Sequence, residues 1–176
     1  ENGLLERHTV RRRPGTVGIS AAIMQRYGLT VIPHLICGGQ SRYDIEDALI
    51  DLDFLGIQNV LALRGDNLKG EHTFRNHPDG HLHASELVEQ IERMNRGVFI
   101  DGEVEQCHNT NFCIGVAGYP EKHAEAPNKA EDLRRLKEKV DAGAAYIITQ
   151  MSFDSAKILS FIDDCRAAGI DVPIVP

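Results

Sequence analysis

VIPHLIC at residues 31–37, closed by Gly38-Gly39, is the stretch that decides the fold class. It is short and apolar almost throughout, whereas a strand with one solvated face would alternate apolar and polar residues. Similar apolar runs follow at residues 59–63, 112–117 and 146–149, and a last one begins near residue 172. Runs of this kind are typical of strands that are buried on both faces of a parallel sheet.

Amphipathic segments with readable ends separate these runs. Residues 41–56, 128–143 and 154–169 each begin with a capping residue, carry one apolar stripe and end at a glycine. Two more helices are predicted, one with its stripe at residues 87–94 and one at about residues 16–27. The order αβαβαβαβαβ requires a parallel sheet with right-handed crossovers. Periodicity leaves open whether this α/β sheet is doubly wound or a closed barrel.

Composition limits the classes of function. The chain has 176 residues, enough for one domain with a sizeable core, and a net charge of −7, which argues against a nucleic-acid partner. No apolar run is long enough for a membrane span and no signal peptide is visible. The four cysteines form no CxxC pair, so we expect reduced thiols and a cytoplasmic protein.

Polar residues follow the apolar runs, where parallel α/β folds bind their ligands. Arg64-Gly65-Asp66 comes after the second run, residues 119–123 after the third and Gln150 after the fourth, while His34 lies inside the first. Together these groups would form a polar ligand site at one rim of the sheet.

Each of these residues also has a plainer interpretation. His34 could equally be a satisfied core histidine, Arg64 and Asp66 could be a surface ion pair of little value, and Gln150 alone is uninformative. His77, His81 and His83 suggest a metal site, but His-x-His in a polar loop lacks fixed geometry and a fourth ligand, so we expect no metal.

Five motifs in a fixed order show a family resemblance. They are PHL at 33–35, LALRGD at 61–66, AGYPEKH at 117–123, KVDAGA at 139–144 and ITQ at 148–150. From about Pro14 to Pro176 the chain resembles the methylenetetrahydrofolate reductases. The resemblance implies a (β/α)₈ TIM-type barrel that binds FAD and reduces methylenetetrahydrofolate to methyltetrahydrofolate, with NADH or NADPH reducing the flavin.

The resemblance also implies the site residues. Those that would line FAD are His34, Arg64, Gly65, Asp66, Ala84, Tyr119, His123, Asp132 and Lys139. Asp66 and Gln150 are the catalytic candidates, with Asp66 near the pyrimidine side of the flavin and Gln150 on the pterin of the folate substrate. Arg64 and Lys139 suit a pyrophosphate. Three positions depart from the pattern of better-known members: His83, Arg135 and Glu138.

The resemblance implies about five βα units of the eight in such a barrel. We therefore expect residues 1–176 to be a single catalytic barrel domain truncated at both ends, with the family's general acid before Glu1. A homo-oligomer is expected. Two alternatives stay open, namely a flavin-free folate-binding barrel of the pterin methyltransferase type and a catalytically incomplete fragment. A visible absorption spectrum would distinguish them.

Overall fold

The computed structural model describes residues 13–66, 74, 76–103 and 108–176. Its helices are α1 (Thr16–Tyr27), α2 (Arg42–Phe54), α3 (Ala84–Asn95), α4 (Lys129–Asp141) and α5 (Ser155–Ala167). Its strands are β1 (His34–Ile36), β2 (Asn59–Leu63), β3 (Val98–Phe99), β4 (Gly102–Glu103), β5 (Cys113–Gly118), β6 (Tyr146–Thr149) and β7 (Ile174–Val175). The five predicted helices and five predicted sheet strands are all present, although β1 is shorter than the apolar run that predicts it.

The predicted helix ends are confirmed by their hydrogen bonds. Ser41 and Asp44 form a capping box at the start of α2, with the Asp44 backbone N–H donating to Ser41 Oγ over 3.1 Å. Asn128 Oδ1 accepts from the Glu131 backbone N–H at 2.8 Å. Gly56 follows α2 with φ +73°, a left-handed conformation that favours glycine. Local side-chain chemistry therefore sets where these helices begin and end.

The main sheet is parallel and winds in one direction, in the order β1-β2-β5-β6-β7. Each strand pairs with the next parallel strand along the chain, with His34 opposite Leu61, Leu61 opposite Gly115 and Gly115 opposite Tyr146. A doubly wound sheet would reverse direction at a switch point, and none occurs among the described strands. The sheet is an arc of a (β/α)₈ barrel, as the resemblance implies.

One face of the sheet carries the core. Val60, Ala62, Ile114, Val116 and Ile147 point to this face and are buried. They pack against helix residues that are also buried, including Leu49, Leu52, Leu87, Ile91, Leu136 and Phe161. Burying each large side chain stabilises the fold by about 1.5–3 kcal/mol. This packed layer fixes the positions of the strand ends and of the loops that follow them.

The opposite face corresponds to the inside of a barrel and is only partly covered. Ile36 is 41% exposed and Val175 49% exposed, and His34 is exposed too, so it is not a core histidine. Near the middle of the sheet the Tyr146 ring lies over Gly115, where a Cβ would come within 2.4 Å of it, and the Tyr146 hydroxyl donates to Val60 O at 3.2 Å. The prediction that the strands are buried on both faces is therefore wrong for the outer strands of this arc.

A polar segment, at about residues 95–111, leads from α3 to β5. Its first half forms the antiparallel hairpin β3–β4, which the sequence pattern did not predict because each strand has two residues. The hairpin is tied to α2 by the Ile100 backbone N–H, which donates to Glu46 Oε2 at 2.8 Å. Across the described ranges, no helix is long and apolar enough to span a bilayer.

Candidate functional site

A cavity of about 290 Å³ lies at the carboxyl ends of β2 and β5, between the first turn of α3 and one face of α4. This is the edge at which parallel α/β folds place their ligands. Its lining combines small apolar residues with polar and charged ones and comprises Ala62, Leu63, Arg64, His83, Ala84, Ser85, Ala117, Tyr119, His123, Glu125, Ala126, Pro127, Glu131, Asp132, Arg135, Glu138 and Lys139.

Arg64 lies on one side of this cavity and is held by a carboxylate. Its guanidinium donates to both Glu125 oxygens, at 2.5 and 2.9 Å, and lies 4.8 Å from the centre of the Phe74 ring. The bond to Glu125 raises the pKa of Arg64, and the same bond lowers the pKa of Glu125. The partner of Arg64 is therefore Glu125, and the suggested surface pair with Asp66 does not form.

The segment at residues 119–127, which we call the β5–α4 loop, forms a second side. The rings of Tyr119 and His123 meet edge to face with centroids 4.7 Å apart. The His123 backbone N–H donates to Asp132 Oδ2 at 3.0 Å, and His123 Nδ1 accepts from the Glu125 backbone N–H at 3.2 Å. If the imidazole is neutral, its proton is on Nε2. Burial, followed by the charges of Asp132 and Asp66, raises the pKa of Tyr119.

Lys139 brings a cation into the cavity from α4. Its Nζ donates to Ala117 O at 2.6 Å, which is its one hydrogen bond among the described residues. Desolvation lowers the pKa of Lys139 to about 8, against a smaller opposing effect of Asp132. An ammonium has three donors, so Lys139 can still bind an anionic group, and such a group would favour its charged form.

The cavity side of α4 also carries an ion-pair network. Arg134 binds Glu131 at 2.6 and 2.8 Å and also pairs with Glu138. Arg135 contacts the same two carboxylates at longer distances of 3.1 and 3.3 Å, and it lines the cavity while Arg134 does not. The bonds from Arg134 lower the pKa of Glu131 to about 2. Arg135 is thus a third cation of the cavity lining, beside Arg64 and Lys139. The two carboxylates that it contacts are also bound by Arg134.

In the histidine-rich loop, residues 77–83, two imidazoles form hydrogen bonds within the protein. His81 is buried and its Nε2 is 2.6 Å from Gln90 Oε1, while His77 Nδ1 accepts from the Asp79 backbone N–H at 3.1 Å. Within the described parts of the chain, no group of three or more potential metal ligands comes together. The expectation that this loop binds no metal remains a prediction.

A sequence comparison shows the family to which the chain belongs. A sequence profile described as methylenetetrahydrofolate reductase matches residues 7–176. The chain belongs to the methylenetetrahydrofolate reductase family. The resemblance shown by the five motifs is thereby confirmed over almost the whole chain.

Relatives in this reductase family come from fungi, plants and bacteria. The chain is 39% identical to methylenetetrahydrofolate reductase 2 of Saccharomyces cerevisiae over 85% of its length, which is 23% of that relative. It is 39% identical to a probable methylenetetrahydrofolate reductase (NADH) of Oryza sativa over 92% of its length and 26% of the relative. For the 5,10-methylenetetrahydrofolate reductase of Pectobacterium carotovorum the identity is 39%, over 93% of this chain and 48% of the relative. The chain therefore spans 23–48% of the length of these relatives.

A solved structure supports the fold. The chain superimposes on 2,3-dimethylmalate lyase, a member of the PEP mutase/isocitrate lyase superfamily, with a TM-score of 0.56 and 11% identity over 92% of this chain and 58% of that one. At this identity the likeness concerns architecture alone, and it agrees with a partial TIM-type barrel.

Six of the nine residues that the reductase resemblance implies for FAD meet in the cavity. They are Arg64, Ala84, Tyr119, His123, Asp132 and Lys139. The other three lie outside the lining: His34 is exposed on the inner face of β1, Gly65 packs against Ile36, and Asp66 is exposed after β2. Gln150 is exposed after β6, two strands away from Asp66, with its backbone N–H donating to Gly118 O at 2.8 Å.

Some residues that line this cavity were not among the implied ones. On α4 they are Glu131, Arg135 and Glu138, whose spacing of four and three residues places them on the same helix face as Asp132 and Lys139. That spacing is a signal that could have identified them. Glu125 had no such signal, since its role depends on Arg64, 61 residues away.

Proposed function

We propose that the intact protein reduces 5,10-methylenetetrahydrofolate to 5-methyltetrahydrofolate, with FAD as resident cofactor and NADH or NADPH as electron source. Family membership supports the reaction, and the rice relative is named for NADH. The observation that carries the proposal is the cavity in which six resemblance-implied residues meet. They come from α3, from α4 and from the segments that follow β2 and β5, although they span residues 64–139.

The chemistry of the cavity fits part of FAD. Lys139 and Arg135 supply cations for phosphate groups, and the first turn of α3 presents backbone N–H groups, which favour anions. Ala62, Ala84 and Ala117 keep the walls short, so that a ribose or phosphate can approach the backbone. The volume of about 290 Å³ is at the lower end of the range for small-molecule pockets, about 300–1,000 Å³, and suits a portion of a dinucleotide.

The rim would serve the substrate. When bound, FAD supplies hydride-transfer chemistry, while the protein sets position and local charge. Asp66 places a carboxylate and Gln150 an amide at the carboxyl ends of β2 and β6, and both side chains are exposed. An amide donates and accepts at once, as the edge of a pterin requires. A fixed carboxylate can stabilise positive charge that develops on the substrate.

The experiment is to purify the intact protein, record its visible spectrum and assay NADH- and NADPH-dependent reduction of methylenetetrahydrofolate. We expect a yellow protein that releases FAD on denaturation, and substrate-dependent oxidation of the nicotinamide. A colourless protein that ignores added FAD yet binds folate would contradict the proposal and favour the flavin-free barrel. A yellow protein without folate reduction would favour a catalytically incomplete one.

A further inference from the structure

Lys122 has an unusual backbone conformation. Its φ is +86°, and every other residue with positive φ in the described parts of the chain is a glycine. This region costs free energy for a residue with a side chain and persists only where the surroundings impose it. Something in the β5–α4 loop therefore offsets that cost.

The ammonium of Lys122 provides the compensation. Its Nζ donates to His123 O at 2.9 Å and also to Ala126 O, and both carbonyl groups belong to the same loop. The Lys122 backbone N–H donates to Tyr119 O at 3.0 Å, and the Ala126 N–H donates to His123 O at 3.1 Å. These bonds are partly buried, and hydrogen bonds to a charged group are stronger than neutral ones. The side chain thus closes the loop on itself.

The cavity depends on the shape of this loop. His123, Glu125 and Ala126 line it, whereas Lys122 is not among the lining residues. Glu125 reaches Arg64, and the His123 ring stands against Tyr119, so a shift of the loop would move both contacts. Any effect of Lys122 on a ligand would therefore pass through these neighbours.

We propose that Lys122 is a positioning residue, whose ammonium staples the β5–α4 loop in the shape that the cavity needs and so sets the affinity of the cavity for its ligand. This inference rests on the proposed function insofar as the ligand is FAD. It assigns Lys122 no contact with that ligand. The alternative is that Lys122 matters for stability alone.

The test variant is Lys122→Gly in the intact protein. Glycine adopts φ +86° without strain, so the variant loses the staple without a new backbone clash. Lys122→Arg keeps a cation and serves as the rescue variant. Lys157→Met is the matched control, since Lys157 pairs with Glu121 of the same loop at 2.5 Å, but neither residue lines the cavity. The readouts are the dissociation constant of FAD, the thermal midpoint and hydrogen exchange of amides 122–126 in FAD-free protein.

We expect Lys122→Gly to weaken FAD binding about tenfold, as it would if the loop without its staple held the binding shape in about a tenth of the molecules. Faster exchange at amides 122–126 should accompany it without a matching fall in thermal midpoint, while Lys157→Met leaves affinity and exchange unchanged and Lys122→Arg restores part of both. Wild-type exchange in Lys122→Gly, or equal losses of affinity in Lys122→Gly and Lys157→Met, would overturn the proposal. If the intact wild-type protein binds no FAD, the proposed function fails, and the exchange rates alone still decide whether Lys122 holds the loop.

Discussion

Two loops of similar composition behave differently in this molecule. The β5–α4 loop and the histidine-rich loop both combine proline, histidine and acidic residues. In the first, His123 lies at a cavity, where its ring meets the Tyr119 ring edge to face and its Nδ1 accepts from the Glu125 backbone N–H. In the second, His81 is buried and bonded to Gln90, whose own amide donates to the Arg42 carbonyl at 2.9 Å. Histidine content thus indicates little about ligand binding, because the partner that the fold supplies decides what each imidazole can do.

The largest effect is expected for Asp66, at the rim of the sheet next to the cavity. In the intact enzyme Asp66→Asn keeps the shape but removes a negative charge, so folate reduction should fall by ~10²-fold if that charge stabilises developing positive charge on the substrate. The reduction potential of the flavin should rise, because a like charge near the added electrons is gone.

Stopped-flow measurement of the two half-reactions checks this prediction. Reduction of the flavin by the nicotinamide should suffer much less than reduction of the folate, because the first involves no folate. Equal losses in both half-reactions would mean that Asp66 only maintains the structure of the rim.

Lys139 should show the next largest effect. Lys139→Met removes an ammonium from the cavity lining, and FAD affinity should fall by ~30-fold if two charge-assisted bonds to phosphate are lost. In the wild-type protein the affinity should also fall as the pH rises above about 8, where the ligand-free lysine loses its proton. Titration of FAD between pH 6.5 and 9.5 measures both, and a wild-type pH profile as flat as that of the variant would refute the role.

The same pKa has a consequence for stability without ligand. Because folding lowers the pKa of Lys139 from 10.5 to about 8, the folded state binds fewer protons than the unfolded state between these values. The contribution of Lys139 to the free energy of unfolding should therefore rise with pH across that window and be unfavourable below it. Lys139→Met should leave the FAD-free protein at least as stable as the wild type at pH 7, as denaturant unfolding can show.

The two arginines of α4 should differ in their effect on FAD affinity, and the expected difference is smaller than that for Lys139. Both contact Glu131 and Glu138, but only Arg135 lines the cavity. Arg135→Gln should weaken FAD binding about fivefold to tenfold through loss of a phosphate contact, and Arg134→Gln should leave it unchanged. Isothermal titration of both variants at two salt concentrations tests this. Equal effects of the two changes would show that Arg135 acts only through the helix surface.

The smallest effect on catalysis is expected in the histidine-rich loop. Changing His77, His81 and His83 together to alanine should leave folate reduction largely intact, apart from a local effect of His83 on the cavity. Loss of the buried His81–Gln90 bond should lower the free energy of unfolding by about 1–3 kcal/mol. Chemical denaturation and activity assays below the unfolding transition separate these results. A loss of activity that tracks a stoichiometric metal would contradict the comparison of the two loops.

Most of the secondary structure was predictable because its causes are local. Apolar runs marked the sheet strands, and the side chains of Ser41, Asn128 and Asp154 cap their helices as their spacing predicts. The β3–β4 hairpin was not predicted, because two-residue strands leave no periodicity in the sequence. Its hydrogen bond to Glu46 on α2 is a long-range contact. The motif resemblance placed six residues of the cavity, but it did not indicate that Arg64, suggested with Lys139 for a phosphate, pairs with Glu125.

By itself, the sequence determined the order of helices and strands, the helix ends, the parallel direction of the sheet and the family of the chain. These depend on residues within a few positions of one another or on motifs read in order. Periodicity alone left the winding of the sheet open, and only the tertiary structure decided the pairing of Arg64 with Glu125 and the burial that lowers the pKa of Lys139. The reason is physical, since strand order, charge pairing and desolvation depend on which distant segments pack together, and no local pattern records that packing.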